Sequence, residues 1–141
     1  INPDAEVIFT VSPVRHIKDG FIENQRSKAH LITAVHKVCE ESKKTHYFPS
    51  YELMMDELRD YRFYTEDMLH PSQTAIDYIW KRFTETWFSK DSLLVLNEVE
   101  NIQKGLAHRP FNPNSEAHRK FLKNLNSKVS TLQKRYPHLQ F

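Results

Sequence analysis

Glu6-Val7-Ile8-Phe9-Thr10-Val11-Ser12-Pro13 is the run whose reading decides the fold: β-branched and aromatic almost throughout, then stopped by Ser-Pro. Such a run suits a strand buried on both faces of a parallel sheet. Asn24 to Glu41 follows with helical periodicity, and Leu31, Ile32, Val35, Val38 and Cys39 form its apolar stripe. Thr45-His46-Tyr47-Phe48 is then a short second strand, again stopped by a proline, Pro49. Strand, helix, strand is a βαβ unit, so the fold class expected is α/β with a short parallel sheet.

Downstream the signals turn helical. Tyr51 to Leu58 has the pattern of a helical turn or two, and Asp60 to Thr65 alternates as an extended or irregular loop. Pro71 is a good first-turn residue for a helix that places Ile76, Ile79, Trp80, Phe83 and Trp87 on one face. Ser89 or Asp91 caps the next helix, with Val95, Val99, Ile102 and Leu106 at coiled-coil-like spacing. A last helix after Asn112-Pro113 carries Phe121, Leu125, Val129 and Leu132. These two form a hairpin suited to packing or dimerisation. The division expected is residues 1–88 as an α/β part and 89–141 as a helical extension.

Composition narrows the function classes. The 141 residues carry 20 Lys and Arg against 18 Asp and Glu, so the net charge of +2 is too balanced to argue for nucleic acid. The aromatic, Arg-containing stretch Arg59 to Tyr64 has the makings of a stacking surface, but Glu57, Asp60, Glu66 and Asp67 dilute its charge. No 18-residue apolar run is present. The single Cys39 forbids an internal disulfide and reads as a buried, inert thiol. His30, His36 and Cys39 share a helix without Cys-x-x-Cys or His-Glu-x-x-His, so neither a metal nor another cofactor is expected. Only 2 residues are Gly, against roughly 7% in typical globular chains. A catalytic α/β domain normally spends Gly on turns and oxyanion loops, and no such loop is in this sequence. The chain opens on Ile1-Asn2-Pro3 without Met, as would one cut between two elements, or one processed or engineered.

The chemistry concentrates in Asp67-Met68-Leu69-His70-Pro71. At this spacing a tight turn brings the Asp67 carboxylate to the His70 Nδ1–H, fixing the tautomer and leaving Nε2 as a general base. The plainer reading is a capping Asp beside an exposed His. Ligands of open parallel sheets bind beyond the carboxyl ends of the strands, where Ser12, Arg15, His16, Tyr51 and Glu52 lie.

Asp-x-x-His-Pro before a helix of a doubly wound domain resembles the C-terminal block of the SGNH, or GDSL-like, hydrolases. The segments TVSPVRHIKDG (Thr10 to Gly20), ENQRSKAHL (Glu23 to Leu31), YFPSYELMMDELRDYRFY (Tyr47 to Tyr64) and DMLHPSQTA (Asp67 to Ala75) resemble the GSCFA family within that superfamily. The resemblance implies a partial three-layer SGNH-like fold and a serine esterase acting on an O-acyl ester of a small molecule or carbohydrate. In it Asp67 orients His70, and His70 deprotonates a Ser in the Gly-Ser-Cys-Phe-Ala motif that names the family. That motif is not in this sequence. The chain then corresponds to a C-terminal portion that is inactive alone.

Other polar residues keep two readings each. Ser12 is a hydrogen-bonding residue of the site, with no Gly-x-Ser-x-Gly elbow to make it a nucleophile. Arg15 and His16 contact substrate or make ordinary loop contacts. Arg59, Asp60 and Arg62 form an ion-pair network bracing the His70 loop, or Arg62 reaches substrate. Tyr51 and Glu52 line the site or are structural. An exposed sheet edge and an apolar hairpin predict self-association. The alternative in another class is a noncatalytic interaction module built on the hairpin.

Overall fold

The computed structural model describes Asn2 and residues 4–141; Ile1 and Pro3, at the opening of the chain, lie outside the described residues. The βαβ unit is present as β1 (Val7–Thr10), α1 (Phe21–Glu41) and β2 (Thr45–Phe48). β1 and β2 are parallel, in register from Val7 opposite Thr45 to Thr10 opposite Phe48. Because successive strand side chains point to opposite faces, β2 divides its contacts. Tyr47 meets His36 of α1 with ring centroids 4.8 Å apart. His46 and Phe48 turn the other way, onto Trp87 and Phe83 of α3 (Gln73–Trp87), at 5.1 and 5.0 Å. Helix, sheet and helix are therefore layered, and the chain is α/β.

Two burial expectations are corrected. β1 is not buried on both faces: Val7 is 43% exposed and Ile8 37%. β2 is its only strand neighbour among the described residues, so its outer edge is unpaired. In α1, Leu31 and Val38 face outward, and the inward stripe is Asn24, Lys28, Ile32, Val35 and Cys39, with Asn24 and Lys28 buried and the others half-buried. Two polar residues reach the interior because each finds a loop partner, as burial requires. The Lys28 ammonium donates to the Ser12 carbonyl at 2.6 Å, and Asn24 Oδ1 accepts from the His16 N–H at 2.7 Å. Burial lowers the Lys28 pKa. Helix α1 starts at Phe21 behind Gly20, whose φ of 92° belongs to the left-handed region open to glycine.

The stretch of mixed periodicity has a physical cause. α2 (Ser50–Glu52) runs directly into one π turn (Leu53–Glu57), closed by the Leu58 N–H on the Leu53 carbonyl at 3.0 Å. A π turn holds one residue more than an α turn, so the apolar phase slips there. The slip gathers Met54, Leu58, Tyr64 and Ala75 into a buried cluster. A 3₁₀ turn (Tyr61–Phe63) follows, with Asp60 capping the Arg62 N–H at 2.9 Å. The ion-pair network expected of Arg59, Asp60 and Arg62 is absent among the described residues: Arg59 donates to the Asp56 carbonyl, and the Arg62 guanidinium lies over the Phe63 ring.

The chain divides into two compact units, Ile1–Trp87 and Phe88–Phe141. The second is a helical hairpin of α4 (Lys90–Ala107) and α5 (Glu116–Arg135). Each begins at a serine cap, Ser89 accepting from the Ser92 N–H and Ser115 from the His118 N–H. Ile102, Leu125 and Leu132 form its core, supported by Val95, Val99 and Val129. Leu106 lies off that core, 50% exposed. At Gly105 a Cβ would stand 2.7 Å from Leu125 Cδ1, so glycine lets the side chain approach the α4 backbone. Among the described residues no helix is long and apolar enough to cross a membrane.

Candidate active site

Phe63 to Ser72 form a closed loop. The Thr65 N–H donates to the His70 carbonyl at 2.8 Å and the Ser72 N–H to the Phe63 carbonyl at 2.7 Å, around an antiparallel bridge of Tyr64 with Pro71. Pro71 is thus strand-like and precedes α3, and Ser72 acts as the cap, its carbonyl accepting the Ile76 N–H. Asp67 sits at the loop tip. Its Oδ1 accepts from the Thr65 hydroxyl at 2.6 Å, the Leu69 N–H at 2.8 Å and the His70 N–H at 3.0 Å. The remaining oxygen, Oδ2, lies 2.6 Å from His70 Nδ1. Met68, between them, has φ 60°, a left-handed conformation seldom taken by a side chain of its kind.

These donors fix the charge state. The Thr65 hydroxyl first, then the His70 and Leu69 N–H groups and the His70 ring, hold the Asp67 carboxyl well below the usual carboxylate range. An ionised carboxylate only accepts, so the proton between the pair belongs to Nδ1 and the Nε2 lone pair is left for chemistry. The imidazole is 58% exposed, and Nε2 has no protein partner among the described residues. A depressed carboxyl pKa stabilises the fold above the unfolded value of 3.8 and ceases to do so as pH falls below it toward the folded value. Thermal melts of wild type and Asp67→Asn should differ by a constant margin above about pH 5, and that margin should shrink steadily as pH falls below about 4 toward the folded value. A margin that does not shrink in acid would show that the carboxylate is not held this way.

The structure brings some of the other expected residues to this loop. Arg15 reaches it directly: its N–H donates to the Leu69 carbonyl at 3.2 Å, Nη1 donates to the Met68 carbonyl at 3.1 Å, and the guanidinium lies 4.3 Å over the Tyr64 ring. Ser12 is exposed on the same strand-end loop, its hydroxyl accepting from the Val14 N–H at 3.2 Å. His16 is exposed too, with Nδ1 4.0 Å from Asp19. Tyr51 is turned inward, 8% exposed, and donates to Gln25. Glu52 accepts the Tyr47 hydroxyl with both oxygens, and burial first, then this bond, raises the Tyr47 pKa. Thr65 escaped sequence reading, although a hydroxyl two residues before an Asp in a tight turn is a legible signal. Lys28 had none, since its partner is a main-chain carbonyl. Among the described residues no group of three or more His, Cys, Asp or Glu could hold a metal ion.

Between β1 and α3 opens an apolar cleft of about 450 Å³, lined by Ile8, Phe48, Ile79, Trp80 and Phe83 and reaching Pro71, the residue after the catalytic candidate. Thr10 and Ser50 are its polar groups, hydroxyls 2.5 Å apart.

No curated protein matches the chain, and no solved structure does. A family model described as the GSCFA family matches residues 1–83, and one described as the GSCFA domain protein, C-terminal domain, matches residues 99–141. The first match takes in both strands, the Arg15 loop and the Asp67–His70 turn, and covers more than half of the sequence: the chain belongs to the GSCFA family.

Proposed function

We propose that this chain supplies the general-base half of an SGNH-type serine esterase. Asp67 holds the His70 tautomer, and His70 Nε2 takes the proton of a serine as that serine attacks the carbonyl of an O-acyl ester. The nucleophile is assigned to a Gly-Ser-Cys-Phe-Ala segment, which this sequence does not contain. The observation that carries the reading is the 2.6 Å bond from His70 Nδ1 to an Asp67 oxygen, with the opposite ring nitrogen open. A base positioned in this way, with no partner at Nε2 among the described residues to deprotonate, needs a nucleophile from another segment.

The unpaired edge of β1 and the apolar cleft beside it suit the segment that brings the serine. An extended strand there would satisfy the free backbone groups and cover apolar surface. Among the candidate substrate contacts we retain exposed Ser12 and His16, with Arg62 just before the loop in sequence and Tyr51 after β2. An acylated carbohydrate or other small ester is the substrate class proposed.

Labelling by a fluorophosphonate probe, read by mass spectrometry, tests this. The chain alone should stay unlabelled. Joined to a Gly-Ser-Cys-Phe-Ala segment from a family member, it should label on that serine and lose the label with His70→Ala. A joined protein that folds but neither labels nor hydrolyses an activated ester would make the Asp67–His70 pair structural. A noncatalytic interaction module would then be the better reading.

A further inference from the structure

We infer that Arg15 is the positioning residue of the Asp67–His70 pair, holding from behind the two peptide groups that Asp67 holds from the front. The peptide joining Met68 to Leu69 gives its carbonyl to the Arg15 guanidinium and its N–H to Asp67 Oδ1. The next peptide, Leu69 to His70, gives its carbonyl to the Arg15 N–H and its N–H to the same Oδ1. A trans peptide points its C=O and N–H in opposite directions, so an Arg15 donor on one side, the guanidinium for the first peptide and the backbone N–H for the second, and the carboxylate on the other pull each dipole the same way and strengthen one another's bonds.

The clamp answers a specific difficulty. Met68 at φ 60° occupies a region where non-glycine residues persist only if their surroundings over-determine them. Without Arg15 the Met68 carbonyl has no partner to hold it there, the two N–H groups swing off Oδ1, and the carboxylate loses its fixed aim at Nδ1. Arg15 suits the task because a flat guanidinium both donates and stacks, here over Tyr64, which bridges Pro71. Its own loop is pinned to α1 through Lys28 on the Ser12 carbonyl and Asn24 on the His16 N–H. The two buried polar residues of α1 thereby acquire a purpose.

The catalytic consequence rests on the esterase reading; the clamp does not, and the test separates them. In the 141-residue chain, the exchange of the His70 Nδ1–H with water is measured by NMR, with the Met68 Cα shift as a second readout. Arg15→Gln should speed that exchange about tenfold or more, the loss of one charge-assisted bond being enough, and move Met68 away from left-handed shifts. In a Met68→Gly background, where the conformation carries no side-chain penalty, the same substitution should have a distinctly smaller effect. A residue that merely stabilised the fold would act equally in both backgrounds. Wild-type exchange and Met68 shift in Arg15→Gln would overturn the inference, as would equal effects in the two backgrounds. Should Arg15→Gln unfold the chain, Arg15→Lys decides, since it keeps the charge and the backbone N–H but not the stacked plane: faster exchange supports the clamp and an unchanged rate refutes it. If the clamp responds as expected while the joined protein never labels, the esterase reading fails and the positioning role stands.

Discussion

Replacing His70 by Ala in the chain joined to its Gly-Ser-Cys-Phe-Ala segment is expected to lower kcat for ester hydrolysis about 10⁴-fold, with KM little changed. The size follows from what the imidazole does. A serine hydroxyl is hardly ionised near neutral pH, so without a base within reach its attack falls back on binding and electrostatic help alone. The fold should survive, because the His70 ring serves no backbone group: the bonds that close the loop run from its N–H and to its carbonyl. Asp67→Asn makes a sharper companion. An Asn in this place can still accept the Leu69 and His70 N–H groups through its oxygen, but it turns an NH₂ toward Nδ1. That forces the ring proton onto Nε2 and blocks the base, for a loss of similar size, about 10⁴-fold. Steady-state rates on an activated ester, with circular dichroism as the check on folding, measure both. Losses under about tenfold in both variants would mean that another group performs the deprotonation.

What could be read from the sequence follows from the range of the forces involved. β1 and β2 were legible because short runs of β-branched and aromatic residues stopped by Pro13 and Pro49 carry their own boundaries. The Asp67–His70 pair was legible for the same reason, since three residues of chain bring both groups together. Side chains whose partners are distant main-chain atoms were not. Lys28 reads as a solvated residue until the Ser12 carbonyl is placed above it. Arg15 reads equally as a substrate contact or an ordinary loop contact, and its two carbonyl partners come into view only when the chain returns 53 residues later. Leu31 and Val38 fill an apolar stripe in the sequence but face outward, since α1 turns its Asn24 and Lys28 flank to the loop it anchors. The π turn at Leu53–Glu57 was invisible to periodicity because it is a break in periodicity.

Met54→Ala is expected to cost about 2–5 kcal/mol of stability, a large share of the roughly 5–15 kcal/mol typical of a domain. Met54 has no exposed surface and sits in the cluster with Leu58, Tyr64 and Ala75. Truncation to Ala removes three heavy atoms from a site walled by the π turn on one side and α3 on the other, and neither can collapse without disturbing its hydrogen bonds. A cavity should therefore remain, which puts the cost toward the upper end of the range. Met54→Leu, close in volume and equally apolar, should lose less than about 1.5 kcal/mol. Urea denaturation followed by tryptophan fluorescence is well placed to show this, as the two tryptophans, Trp80 and Trp87, both lie on α3. The same cavity lies beneath Tyr64, whose ring carries the Arg15 guanidinium and whose backbone bridges Pro71. Met54→Ala should accordingly speed water exchange at the His70 Nδ1–H under conditions where the chain is still folded. A loss below about 1 kcal/mol would mean the site repacks freely, and the dyad loop would then owe its order to the hydrogen bonds of Asp67 and Arg15 rather than to the core beneath it.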